Sequence, residues 1–329
     1  MTGLVLLLAA GVMNATFALP MKFTKQWSWE NTWLVWSILA LLVLPPIMGF
    51  ATVPGLGGVY HQAPPGLVLK VALCGAGWGV AQVLFGLALD IIGIALTFSI
   101  VLGLSAAMGS LIPLVSLHPD EVLKPAGLTA LAGIGLVVAG VAICAVAGRM
   151  REEAHVGKRE GSIPFGRGLA IAITSGLCAS MMNVGVAFGG PLTDAATAAG
   201  AASYWTVNAI WVPLLLGGAI PNVLYCVYLL RRNGTASKYG EYGTETYWFL
   251  AFVMACFWFG SSLLYGASIV QVGAVLGWPL FMSLIVILSS LLGVATGEWK
   301  AAGPKPLRIQ MSGVLVLVLA VIVLSRASL

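Results

Sequence analysis

Apolar residues run through this chain in ten stretches, each close to the roughly 20 residues needed to cross the hydrocarbon core of a bilayer. They cover 2–21, 31–51, 67–89, 92–117, 125–147, 166–190, 203–230, 245–270, 273–296 and 307–326. The pattern predicts an all-α integral membrane protein of ten transmembrane helices. The first stretch reads as a span and not as a cleaved leader. It has no basic segment before it, runs straight into Pro20-Met21-Lys22, and has a counterpart later in the chain. Polar positions gather in one long segment, 148–166, which holds Arg149, Arg151, Glu152, Glu153, Lys158, Arg159 and Glu160. It separates five spans from five and reads as a solvated, charged cytoplasmic linker. The predicted organisation is therefore 1–147, a linker at 148–166, and 167–329.

The two halves resemble each other. At an offset of 180 residues, Trp78-Gly79-Val80-Ala81-Gln82-Val83-Leu84-Phe85-Gly86 falls on Trp258-Phe259-Gly260-Ser261-Ser262-Leu263-Leu264-Tyr265-Gly266. The same offset pairs Gly93 with Gly273, Phe98 with Trp278, Ser110 with Ser290 and Gly133 with Gly313. At another offset, Met13-Asn14 matches Met182-Asn183. Five spans is an odd number, so the second copy enters the membrane in the opposite sense to the first. Such a 5+5 inverted-topology repeat is the architecture of many secondary transporters, in which a site between similar halves opens first to one side and then to the other.

Composition confirms the lipid environment and narrows the function. Of 329 residues, 60% are hydrophobic and 8% charged, and the mean hydropathy is +1.00. A soluble domain carries about 25% charged residues, so a cytosolic enzyme, a secreted domain and a nucleic-acid binder are excluded. The net charge of +5 is not a nucleic-acid footprint, because the bases are sorted by loop. Thirteen of the sixteen Lys and Arg residues fall in the loops that follow odd-numbered spans; only Lys70, Lys124 and Arg326 lie on the other side. The positive-inside rule then makes the odd loops cytoplasmic and puts both termini outside. Cys74, Cys144, Cys178, Cys226 and Cys256 are scattered through apolar stretches, and His61, His118 and His155 sit in or beside loops. Neither set has metal-ligand spacing, so no metal or other cofactor is expected.

A polar side chain within a span is costly and usually faces the bundle interior. The candidates are few: Asn14 in the first span, Asn183 in the sixth, Asn208 in the seventh, and the serines of spans four and nine. Trp78, Gln82, Phe85 and Gly86 share one helical face, and Trp258, Ser262, Tyr265 and Gly266 form the equivalent face in the other half. Trp278 lies deep in span nine. Amide and hydroxyl groups hydrogen-bond without charge, and indole and phenol rings present flat apolar faces with a polar handle. That combination suits a neutral, hydroxyl-rich solute such as a sugar. The candidate substrate-binding residues are Asn14, Trp78, Gln82, Asn183, Asn208, Trp258, Tyr265 and Trp278. Trp27, Trp29, Trp33, Trp36, Trp205, Trp248 and Trp299 lie near span ends and read as an interfacial belt. All eleven acids fall at span ends or in loops. Asp90 follows the Trp78–Gln82 face, and Glu298 closes span nine; both read as solvated end residues that double as coupling or gating candidates.

The segment Phe17-Ala18-Leu19-Pro20-Met21-Lys22-Phe23-Thr24-Lys25-Gln26-Trp27-Ser28-Trp29-Glu30-Asn31-Thr32-Trp33 resembles the first-loop signature of the bacterial L-rhamnose–proton symporter family, within the drug/metabolite transporter superfamily. Gly86-Leu87 followed by Gly93, and Glu298-Trp299-Lys300-Ala301-Ala302-Gly303, are similar to later family segments. The resemblance runs over essentially the whole chain. It implies a 5+5 helical carrier that brings in a deoxysugar such as L-rhamnose with a proton. It also implies that Lys22, Lys25, Trp27, Trp29, Glu30, Glu298 and Trp299 are family-type residues; Lys22, Glu30, Asp90 and Glu298 are the coupling or gating candidates. One segment departs from the family pattern: Gly273-Ala274-Val275-Leu276-Gly277, before Trp278, is wholly apolar. That departure motivates an alternative, a facilitator or exporter of another small metabolite. A non-transporting membrane scaffold is a third reading, and it leaves the repeat unexplained. An intramembrane enzyme is disfavoured, since no nucleophile–base pair or carboxylate pair lies at depth.

Overall fold

The computed structural model describes residues 2–92, 94–156, 165–295, 297, 299 and 302–326. The described residues are helical throughout, with short connections. The helices are α1 (Thr2–Thr16), α2 (Trp29–Ser37), α3 (Leu44–Thr52), α4 (Leu56–Gln62), α5 (Leu67–Ile92), α6 (Ile94–Leu117), α7 (Pro125–Val156), α8 (Phe165–Phe188), α9 (Gly190–Ala198), α10 (Asn208–Asn233), α11 (Glu245–Val272), α12 (Ala274–Ala295) and α13 (Pro304–Leu324). Among the described residues, ten helical segments are long and apolar enough to cross a membrane, and they fall on the ten predicted stretches. The protein is a multi-pass membrane protein. Large apolar side chains stay exposed along the helices, such as Val5 and Leu8 on α1, Ile220 and Leu224 on α10, and Phe249 and Phe252 on α11. In water such a surface would drive association; in a bilayer it is the surface that lipid covers.

Two local departures from the predicted pattern have physical causes. The second span is not one regular helix: Ile38–Val43 between α2 and α3 is a π-helical turn. Pro45 and Pro46 follow it. Neither has an N–H to give to the preceding turn, and the wider hydrogen-bond register accommodates that loss. The charged segment that begins at Gly148 is not wholly a loop. α7 continues through Arg149 and Arg151 to Val156, because charged residues do not end a helix as Gly or Pro does. Residues 157–164 lie outside the described part.

The chain divides into two compact units, Met1–Val80 with Gly185–Gln271 and Ala81–Val184 with Val272–Leu329. Each draws on both predicted halves. In the first unit, α10 packs against α2, the π-helical turn and α3. It also crosses α5 so closely that the two backbones touch. A Cβ added to Gly75 would lie 1.7 Å from the carbonyl oxygen of Leu214, and one added to Gly217 would lie 2.0 Å from that of Ala72. Small residues at a helix crossing permit this approach in lipid, where van der Waals contact replaces the hydrophobic effect. The Ser261 hydroxyl, donating to the Ala10 carbonyl at 2.8 Å, ties α11 to α1.

In the second unit α7 and α13 pack along much of their length, with Gly133 under Leu324, Gly140 under Leu317 and Gly313 against Cys144. The Gln310 amide donates to Ser290 Oγ at 2.6 Å and joins α13 to α12. The Ser175 hydroxyl donates to the Ala81 carbonyl at 2.8 Å, beside a core of Ala81, Ala88, Val101, Ala172 and Ala179.

Candidate functional site

In the first unit the predicted pair Trp78 and Trp258 meet. Their rings stack with centroids 5.5 Å apart and planes 26° from parallel, and both side chains are buried. Three more indoles continue the row on α2. Trp29, Trp33 and Trp36 are spaced i, i+4 and i+7, so they share a face. Trp29 stacks on Trp33 at 5.1 Å, Trp33 tilts against Trp36 at 4.4 Å, and Trp36 meets Trp258 edge-on at 5.2 Å. The Trp33 N–H donates to Asn222 Oδ1 at 3.2 Å, and the Asn222 amide donates to the Gly218 carbonyl at 2.9 Å. The Trp36 N–H and the Ser37 hydroxyl are buried without a partner.

This row corrects the belt assignment. Trp29 and Trp248 are exposed, but Trp36 is 1% exposed and Trp27 is 5% exposed. Trp299 is buried too, with the Arg151 guanidinium 4.9 Å from its ring centroid. Position near a span end is a poor guide because α2 buries residues already within its first turn, at Glu30, Asn31 and Thr32. The i, i+4, i+7 spacing is the signal that finds Trp36.

The other candidates lie elsewhere. Tyr265 is fully buried near Trp211, with ring centroids 6.3 Å apart. Asn208, at the start of α10, donates to Thr52 Oγ1 at 2.9 Å, and Asn14 is half-buried on α1. Gln82, Asn183 and Trp278 belong to the second unit. There Asn183 donates to the carbonyls of Gly109 at 2.7 Å and Ala274 at 3.0 Å, and the Trp278 N–H donates to the Ser105 carbonyl at 2.9 Å. Trp278 lies directly over Gly109, where a Cβ would come within 2.5 Å of its ring nitrogen. Asn183 and Trp278 thus come together at one glycine of α6, their donors engaged by backbone. Gln82 is half-buried on α5.

A cavity of about 560 Å³ lies between α1 and α11, lined by Leu6, Met13, Leu264 and Ala267, with Thr2 and Gln271 among its polar groups. At about 100° per residue, its α11 residues lie on the side of that helix opposite Trp258, so the indole pair does not line it.

Glu30 holds the opposite end of the first unit. It is 5% exposed, although it sits at the very start of α2. Its Oε1 accepts from Asn233 Nδ2 at 3.0 Å and from Thr235 Oγ1 at 2.7 Å. Next to it, the Asn31 amide donates to the Thr235 carbonyl at 2.9 Å, and Lys238 Nζ donates to Ser28 Oγ at 2.9 Å. The Tyr239 hydroxyl donates to the Asn31 carbonyl at 3.0 Å; burial pushes this phenol up to about 12, which keeps it a neutral donor. The Trp27 N–H donates to the Lys238 carbonyl at 3.2 Å, and its ring is edge-on to Tyr239, Tyr247 and Trp248. Residues 27–31 are therefore clasped to 233–239. Lys22 is exposed in a 3-10 turn at Leu19–Phe23. The side chain of Asp90, and Glu298 altogether, lie outside the described residues.

A family model for the L-rhamnose-proton symport protein (RhaT) matches residues 1–328 of this chain. The L-rhamnose-proton symporter of Yersinia pestis (strain Pestoides F) is 27% identical over 328 residues, covering 97% of this chain and 95% of its own length. That of Yersinia pestis bv. Antiqua (strain Antiqua) is 28% identical over 335 residues with the same coverage.

Proposed function

The chain belongs to the L-rhamnose-proton symport protein family, and from that premise we propose that it is a secondary carrier which moves L-rhamnose or a related deoxysugar together with a proton by alternating access. It is a transporter and not an enzyme. The observation that carries the sugar reading is the Trp78–Trp258 stack. Two buried indoles face each other, and every hydrogen-bonding group named beside them is neutral. A deoxysugar has C–H faces that stack on indoles and hydroxyls that pair with amide, hydroxyl and indole donors.

Several features support an inverted repeat of 1–147 and 167–329 about the 148–166 segment. Within the units, spans that the repeat makes mates pack on each other. α10 lies on α2 and α3, α12 on α6, α13 on α7, and Trp78 stacks on the residue 180 positions later. Mates touch where a pseudo-two-fold axis passes. The basic loops support an inner-membrane orientation with both termini outside.

Glu30 is the coupling carboxylate in this proposal. Among the acids whose side chains are described it is the buried one. α2 carries it together with Trp33 and Trp36, so protonation there acts on the helix that abuts the indole pair.

Labelled L-rhamnose should enter proteoliposomes containing the purified protein. Trp78→Ala and Trp258→Ala are each expected to weaken sugar binding about five- to tenfold, on the order of 1 kcal/mol for a lost aromatic contact. Unchanged affinity in both, with the fold intact, would assign the stack to packing alone. If neither L-rhamnose nor related sugars compete or enter, the sugar reading fails.

A further inference from the structure

The row of indoles contains a donor that finds no acceptor among the described residues. Trp36 is 1% exposed and its Nε1 has no hydrogen-bond partner. Burying an N–H without an acceptor costs free energy, and native structures rarely leave one so without a use. The neighbouring indole in the row is satisfied, since Trp33 donates to Asn222. The ring of Trp36 abuts Trp258, which itself stacks on Trp78. At 5.5 Å between centroids, those two rings leave no room for a solute between them. A ligand that enters must part them, and Trp36 is the aromatic residue standing against the edge of the pair.

The adjoining backbone is also irregular. The Ser37 hydroxyl, the next side chain along, is buried without a partner, and the π-helical turn begins at Ile38. Such turns within helices are frequent at functional sites. Trp211 Nε1 is unpartnered too. It faces Gly266, however, where a Cβ would lie 2.8 Å away, and its ring tilts against buried Tyr265 outside the indole row. Among the described residues, only Trp36 joins an unsatisfied donor to the predicted aromatic pair.

We propose that Trp36 is a substrate-binding and specificity-determining residue, whose indole N–H donates to one hydroxyl of the sugar when the Trp78–Trp258 pair opens. This rests on the sugar reading given above. It adds that one particular hydroxyl is read by one particular donor.

The test is calorimetric titration of the purified full-length protein with L-rhamnose and with its mono-deoxy analogues, each lacking one hydroxyl. Wild-type protein is expected to bind one analogue about tenfold more weakly than the parent sugar, 1.4 kcal/mol at 25 °C. Trp36→Phe keeps an aromatic ring and loses the donor. It is expected to bind L-rhamnose about tenfold more weakly and to hold that analogue as well as the parent. Trp36→His restores a ring N–H and should restore the discrimination. Folded Trp36→Phe that matches wild-type affinity and ranking overturns the proposal. So does folded Trp36→His that fails to discriminate, and so does a wild type that binds every analogue as well as L-rhamnose. Wild-type protein that binds no sugar at all overturns the sugar reading itself, a different and distinguishable failure.

Discussion

Gly75→Ala is expected to leave little folded protein in the membrane. The added methyl would sit 1.7 Å from the Leu214 carbonyl oxygen, a backbone atom of α10 with no rotamer to escape into. Gly217 makes the reciprocal contact with Ala72 at 2.0 Å, so the two helices cannot slide apart at one point without opening the other. Overpacking of a core costs about 1–3 kcal/mol when side chains can yield. Here only the α5–α10 crossing can yield, and the expected loss exceeds about 3 kcal/mol, a large share of a typical total stability. Thermal melts and size-exclusion profiles of detergent extracts should show a collapsed or aggregated variant. Gly103→Ala, where nothing lies within 4 Å of the added carbon, should behave as wild type. A Gly75→Ala protein with unchanged melting behaviour would contradict the close crossing.

Glu30→Gln is expected to abolish uphill sugar accumulation while leaving sugar exchange across the membrane. The substitution keeps an oxygen that accepts from Asn233 and Thr235, so the clasp to 233–239 survives. It removes the only group in that clasp able to lose and regain a carboxyl proton. The expected reading is counterflow at near wild-type rate, with accumulation against a concentration gradient reduced at least tenfold. Glu30→Gln that accumulates sugar normally would move the proton site elsewhere, with Asp90 and Glu298 as the next candidates. Loss of counterflow as well would make Glu30 a structural or gating residue.

The ten spans were legible because span length is set by the bilayer and needs no knowledge of contacts. One interior contact was legible, at a pair that the 180-residue offset aligns. Trp78 and Trp258, 180 residues apart, could be paired from the sequence and do stack. Nearness to a loop suggests the interface for Trp36, whereas its helical spacing with Trp33 turns it inward, where it is buried. The partners of Glu30 lie 203 and 205 residues away, with no periodic signal to announce them. Asn183 stands out in the sequence as a polar residue that matches Asn14, and Trp278 as an aromatic residue deep in its span. Their donors end on the carbonyls of Gly109, Ala274 and Ser105, and a carbonyl leaves no mark in a sequence. The π-helical turn had a warning in Pro45-Pro46, but two prolines mark a lost register without saying which register replaces it.

The proposed carriage of a deoxysugar is driven by protons, and uptake of labelled L-rhamnose into proteoliposomes under an inward proton gradient tests it. The sugar should accumulate inside above the external concentration, and a protonophore should collapse that accumulation. Entry that stops at equal concentrations with or without the gradient would contradict it.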